Sequence, residues 1–247
     1  MMDVAAYLER IGYHGPVRVD LDTLRGMHHA HFLNVPFENL DIARGVRIEV
    51  DGEVNYRKIV ASGRGGFCLE LSGLFARALR QIGFRVDVLG ARVLNEGLIG
   101  YPNSHMTLLV HLDEPWLVDV GFGGRIATPL RLESREPVMV GERRFVVDHD
   151  GDHWLLTASE PGSGTMSYLF TLQPREWAEF EDACHWLQTS PESSFTQGDV
   201  VSLATPTGRK TYSRGRYIET EGESRSEREV AEEERAALIK ERFGIGI

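Results

Sequence analysis

Positive charge is what this chain is short of. Lys and Arg number 27 against 37 Asp and Glu, a net charge of −10 over 247 residues. Such a balance disfavours non-specific binding to nucleic acid or to anionic membranes, although a local site can still hold a small anion. Cysteine is equally scarce. Cys68 and Cys184 are the only two, too few for a disulfide framework, so reduced thiols in a cytoplasmic protein are expected. No apolar run approaches the ~20 residues that a membrane span needs. The opening Met1-Met2-Asp3-Val4 has neither a basic segment nor an apolar one behind it, so no signal peptide is expected. Internal repeats and low-complexity tracts are missing too. What remains is an ordinary soluble composition, 42% apolar and 26% charged. A chain of this length buries about 70–75% of its unfolded surface and needs no staples.

Residues 1–83 read as helical. Asp3 caps a short helix ended by Gly12, and Asp20 or Asp22 caps a second that stops before Pro36. A third lies around residues 54–61. A fourth starts at Cys68, with Leu71, Leu74, Phe75, Ala78, Leu79 and Ile82 on one face. The period then changes. Residues 84–88, 107–110 and 116–120 are short apolar or alternating runs, and residues 144–147 and 154–157 flank an Asp150-Gly151 hairpin signal. Residues 84–160 therefore predict an antiparallel sheet or small barrel, followed by a loop at 161–164. Beyond it come a helical stripe of Trp177, Phe180, Cys184 and Leu187, strand-like stretches at 200–203 and 210–218, and a charged C-terminal helix. Ser226 with Glu229 reads as the capping box of that last helix.

The chemistry centres on Gly63-Arg64-Gly65-Gly66-Phe67-Cys68-Leu69-Glu70. Cys68 falls in the first turn of its helix, where unpaired N–H groups and the helix dipole favour a thiolate. An inert core cysteine is the alternative there. A nucleophile needs a base, and the base an orienter. His105 opens one apolar strand and Asp119 closes the next, so adjacent antiparallel strands would place both at one end of the sheet as a triad with Cys68. The plain alternative is an edge histidine and a turn-initiating aspartate. Gly121-Phe122-Gly123-Gly124 can offer N–H groups to an anion, or be a simple turn; it is not a dinucleotide signature. His28, His29 and His31 lack a matching carboxylate or cysteine cluster, so no metal is expected. Cys184 sits on an apolar stripe and reads as core. Arg125, beside the glycine loop, reads equally as a phosphate contact or as a solvated side chain.

Taken together, Val35-Pro36-Phe37-Glu38-Asn39-Leu40, Arg64 to Glu70, His105, Asp119-Val120-Gly121-Phe122-Gly123 and Ser190-Pro191-Glu192-Ser193-Ser194-Phe195 resemble the arylamine N-acetyltransferase family, in order and across most of the chain. The resemblance implies an α+β fold with a cysteine-protease-like core: an N-terminal helical bundle (1–83) carrying the nucleophile, a central antiparallel β-barrel (84–173) carrying His105 and Asp119, and a C-terminal α/β lid (174–247). It implies ping-pong transfer of an acetyl group from acetyl-CoA, a cosubstrate rather than a resident cofactor, to a small aromatic amine or hydrazine, with Cys68 carrying the thioester. Ser104, Phe122, Gly123 and Gly124 match coenzyme contacts, and Phe37, Phe122 and Phe195 match the acceptor pocket. Glu38 and Arg64 match a structural charge pair. The short C-terminal part leaves coenzyme contacts from the lid open. Other acyl thioesters, amide-synthase chemistry, a cysteine hydrolase and a non-catalytic binding module are the rival readings.

Overall fold

The computed structural model describes residues 2–95, 98–123, 126–134, 136–160 and 164–246. Local capping sets the first helices. Asp3 accepts from the Ala6 N–H at the start of α1 (Val4–Ile11), and Gly12 ends it at φ +70°, a left-handed conformation that suits glycine. Asp20, not Asp22, caps α2 (Leu21–Asn34) through the Thr23 N–H. A short strand β1 (Phe37–Glu38), one turn of α3 (Leu40–Ala43) and α4 (Gly52–Tyr56) follow; α4 runs on as a widened turn over Arg57–Ala61. The next helix, α5 (Cys68–Ile82), is buried along its length: Leu69, Leu71, Leu74, Phe75, Ala78 and Leu79 are all within 1% of full burial. Burying each large apolar side chain contributes about 1.5–3 kcal/mol, so packing rather than intrinsic propensity anchors the helix that carries Cys68.

The middle of the chain is antiparallel sheet: β2 (Arg85–Asn95), β3 (Leu98–Ile99), β4 (His105–His111), β5 (Pro115–Val118), β6 (Leu130–Arg131), β7 (Val138–Val140), β8 (Arg143–Asp150), β9 (His153–Glu160) and β10 (Gly164–Pro174). The order β6-β5-β4-β2-β10-β9-β8-β7, with β3 beside β2, makes a nearly closed barrel. One face of β4 packs on α5 through Met106, Leu108 and Val110. The other, with Leu109, joins Leu117, Phe145, Leu156 and Tyr168 inside the barrel. Alternation along β4 thus binds helices to barrel.

After a 3₁₀ turn at Trp177–Phe180 comes α6 (Glu181–Thr189), whose Phe180-Cys184-Leu187 stripe packs into the same core as α5. A meander of β11 (Val200–Thr205), β12 (Gly208–Ser213), β13 (Arg216–Glu221) and β14 (Ser224–Glu229) is covered by α7 (Glu232–Phe243). Its edge is completed by β1, Phe37 lying opposite Ser202 and Glu38 opposite Val201. The N-terminal region, read as wholly helical, therefore gives a strand to the C-terminal sheet.

Three local expectations are corrected. Ser226 and Glu229 belong to β14, paired with Glu219 and Arg216; α7 starts after Ala231 with no side-chain cap. β14 is exposed along its whole length, so it has no apolar alternation to set against the capping-box spacing. Residues 210–218 are two strands joined at Arg214-Gly215, φ +48° and +77°, the paired positive angles of a tight hairpin. The turn between β8 and β9 is Gly151-Asp152, one residue later than expected, with Gly151 at φ +57°. Of the predicted loop at 161–164, residues 161–163 lie outside the described residues and Gly164 opens β10.

Candidate active site

The nucleophile loop is folded by its glycines and a buried carboxylate. A Cβ on Gly65 would lie 2.0 Å from the Pro36 carbonyl oxygen, and one on Gly66 2.9 Å from the Glu70 side chain. That close approach lets the Glu38 N–H donate to the Gly66 carbonyl, beside the Phe37–Gly66 bridge. Glu70, 2% exposed, accepts the Phe67 N–H at 3.0 Å, tying down the start of α5. It also accepts from Lys58 Nζ at 2.8 Å. Lys58 bonds Asp41 at 2.8 Å, and Arg64 bonds both Glu38, at 2.7 Å, and Asp41, at 3.0 Å. The anticipated Glu38–Arg64 pair is thus part of a five-charge network. Burial pushes the Glu70 carboxyl up to about 7 against the pull of Lys58.

Cys68, His105 and Asp119 converge. Leu108 on β4 lies opposite Val118 on β5, which brings His105 and Asp119 to the same end of the sheet. His105 Nε2 meets Asp119 Oδ2 at 2.7 Å, with side chains 2% and 0% exposed. The other carboxylate oxygen accepts the Gly121 N–H at 2.8 Å, so the orienter is held on both oxygens. Cys68 Sγ donates to the Ser104 carbonyl at 3.5 Å and lies within hydrogen-bonding reach of the imidazole. With Nε2 committed to Asp119, Nδ1 is left for the sulfur. Burial disfavours charge on His105, but the Asp119 carboxylate and the Cys68 sulfur outweigh it and hold the ring up to about 10. Tyr168, fully buried, was not anticipated. Its ring centroid is 4.9 Å from that of His105, its hydroxyl donates to Thr107 Oγ1 at 3.1 Å, and it also acts on Asp119. Nothing in the sequence marks it, because an aromatic on a strand reads as core.

The glycine loop lies against the nucleophile. A Cβ on Gly121 would sit 2.8 Å from the Cys68 Cα and 2.9 Å from Ser72 Oγ; only glycine allows α5 and the loop to come this close. Phe122, 4% exposed, packs its ring against His105 at 5.2 Å and Tyr168 at 5.0 Å. Gly123 adopts φ +59°, with open space where its Cβ would be. Gly124 and Arg125 lie outside the described residues. Arg209 reaches over from the C-terminal sheet and donates to the Gly123 carbonyl, to Ser202 and to Glu160. Despite its shortness, that sheet therefore touches the loop. A cavity of about 420 Å³ opens there, lined among others by Phe37, Gly123, Ser202, Arg209 and Arg225. A second, of about 630 Å³, is lined by Phe32 and Arg143 among others and shares Thr220 and Arg225 with the first. Phe195 bridges Phe37 and Phe67, ring centroids 6.0 and 5.8 Å away. Phe67 was not singled out from sequence. Ser104 contacts the nucleophile through its main chain.

Cys184 is 3% exposed, and burial pushes its thiol up to about 12, which disfavours the thiolate. His28 and His31 are fully buried among aromatics. No group of side chains suited to a metal ion occurs among the described residues, and no helix there is long and apolar enough to cross a membrane.

Comparison with known proteins places this geometry. A family profile described as N-acetyltransferase matches residues 20–247. The arylamine N-acetyltransferase of Escherichia coli strain K12 is 33% identical, the match covering 98% of this chain and 88% of that protein. The solved structure of the Mycobacterium smegmatis arylamine N-acetyltransferase superposes with a TM-score of 0.92 at 31% identity, covering 99% of this chain and 93% of that one. The Mycobacterium marinum arylamine N-acetyltransferase, solved in complex with CoA, superposes at 0.90 with 29% identity, covering 98% and 93%.

Proposed function

Because the chain belongs to the arylamine N-acetyltransferase family, we propose that it moves an acetyl group from acetyl-CoA to the nitrogen of an aromatic amine or hydrazine by a ping-pong reaction through a Cys68 thioester. The observation that carries the reading is the contact of a buried His105–Asp119 pair with a cysteine at the start of a helix. In this reading the Cys68 thiol passes its proton to His105, and Asp119 holds the resulting imidazolium. The thiolate attacks the acetyl carbonyl, and the developing oxyanion is met by the N–H of Cys68, an unpaired donor of the first helical turn, and by a neighbour. The carbon–sulfur bond to the coenzyme breaks, and His105 gives its proton to the leaving thiolate.

Having given up its proton, the His105 ring is neutral in the acyl-enzyme, and Asp119 holds its orientation. An amine attacks the thioester, His105 takes the amine proton, and Cys68 leaves as thiolate, restoring the ion pair. The donor lies along the two cavities that share Thr220 and Arg225. Because Arg209 and Arg225 already engage Glu160 and Glu227, main-chain N–H groups of the glycine loop supply much of the anion binding. Phe37, Phe122 and Phe195 form the aromatic side of the acceptor pocket.

The test is intact mass after mixing with acetyl-CoA in the absence of amine. One acetyl group on Cys68, absent from Cys68→Ala and retained in Cys184→Ala, is expected. Acetate production with no acylated intermediate, or labelling of Cys184, would refute it.

A further inference from the structure

We infer that His28 is a positioning residue for the reaction: its imidazole fixes the main chain at Asp119 and so sets the His105–Asp119 pair from outside the barrel. His28 lies on α2, remote in sequence from the site, and is fully buried. Its Nε2 donates to the Asp119 carbonyl at 3.1 Å. That commits the proton to Nε2; among the described residues Nδ1 has no hydrogen-bond partner, although the Ala127 main chain lies near enough to favour charge on the ring. A half-satisfied imidazole in a dry core is unfavourable, and a hydrocarbon of the same shape would avoid the cost. The one bond it makes must therefore matter to the residue it holds.

That residue is Asp119. Its three oxygens are each assigned: one carboxylate oxygen to His105, one to the Gly121 N–H, the main-chain oxygen to His28. The first two depend on the third, because rotation of the Asp119 peptide swings the carboxylate off a ring only 2.7 Å away. The same imidazole meets Phe75 edge-on at 6.2 Å, and Phe75 is two helical turns beyond Cys68 on α5. One side chain thus ties the nucleophile's helix to the orienter's loop. The charged and titratable groups acting on it are Asp119, His29 and His31. Burial holds the ring down to about 4, so it is neutral above that value while His105 stays charged up to about 10.

The inference rests on the reading of Cys68 as the acylated residue, and the experiment separates the two. Loading of Cys68 is followed by intact mass and rapid mixing, from acetyl-CoA and from an activated aryl acetate, across pH. His28→Phe keeps the ring and removes the donor; His28→Gln restores an N–H at the position of Nε2. We expect His28→Phe to slow loading from both donors at least ~10-fold and to displace its pH midpoint, with His28→Gln recovering most of both. Should His28→Phe not fold, His28→Asn, one bond too short for the carbonyl, takes its place. Loading by the donor-deficient variant within twofold of the parent protein at an unchanged midpoint overturns the inference. So does an equal loss in His28→Gln with the midpoint unmoved, which would make His28 a packing residue only. If the parent protein does not load at all, it is the Cys68 reading that fails.

Discussion

Asp119→Asn probes the site most directly. The substitution preserves shape and keeps an oxygen for the Gly121 N–H, but removes the charge 2.7 Å from His105 Nε2 in a pair that excludes solvent. The carboxylate and the sulfur raise His105 from the ordinary 6.5 to about 10, a preference for imidazolium of roughly 5 kcal/mol. If most of that comes from Asp119, its loss reduces the thiolate–imidazolium form by about three orders of magnitude. An amide can also turn its NH₂ toward the ring and impose the wrong tautomer; in a serine triad the equivalent change costs ~10⁴ in turnover. We expect Cys68 loading to fall between ~10² and ~10⁴, measured by rapid mixing with acetyl-CoA and confirmed by intact mass. Stability adds a second readout whose sign is fixed. A histidine whose folded value is raised contributes stability that is fully present below about 6.5 and is lost as pH rises through about 10. The gap in denaturation midpoint between the parent protein and Asp119→Asn should be widest near pH 6 and close toward pH 10. Loading within fivefold of the parent protein, or a gap that widens with pH, would refute the argument.

Other outcomes follow from neighbouring geometry. Gly121→Ala places a methyl 2.8 Å from the Cys68 Cα; this should cost about 1–3 kcal/mol and slow both half-reactions, read by chemical denaturation and single-turnover kinetics. Gly123→Ala meets open space but must hold φ +59°, which should cost about 1 kcal/mol and raise KM for acetyl-CoA while leaving loading from an activated aryl acetate near normal; the reverse pattern would move the loop to the acceptor side. Glu70 has a folded value raised to about 7, so its contribution is fully present below about 4.5 and lost as pH rises through 7, a swing of roughly 3 kcal/mol. Glu70→Gln should therefore be most destabilising near pH 4.5 and approach the parent protein above pH 7.5, a trend that thermal melts across that range would expose or contradict.

The elements that were legible from sequence share one property: their signals are local. Asp3 and Asp20 cap their helices because the accepting oxygen and the donating N–H are three residues apart. The α5 stripe and the apolar runs of β4 and β5 repeat at periods that each element imposes on its own side chains. Where two local patterns coincide, sequence reading fails. Ser226 and Glu229 have capping-box spacing within a stretch that can equally be an all-exposed edge strand, and only pairing with β13 chooses the strand.

The sequence by itself determined the chemistry on offer: one cysteine at a glycine-backed helix start, a histidine and an aspartate at matching strand ends, and a glycine loop. Tertiary structure decided what surrounds them. The partners of Asp119 come from α2 and β4, Tyr168 from β10 and the clamp on Gly123 from β12. Glu70 is buried against Lys58 rather than exposed. None of these contacts has a period or a spacing in the chain. They exist because burial is cooperative: once α5 packs on β4, each polar group carried inside must find its partner among whatever other elements the same packing brings near.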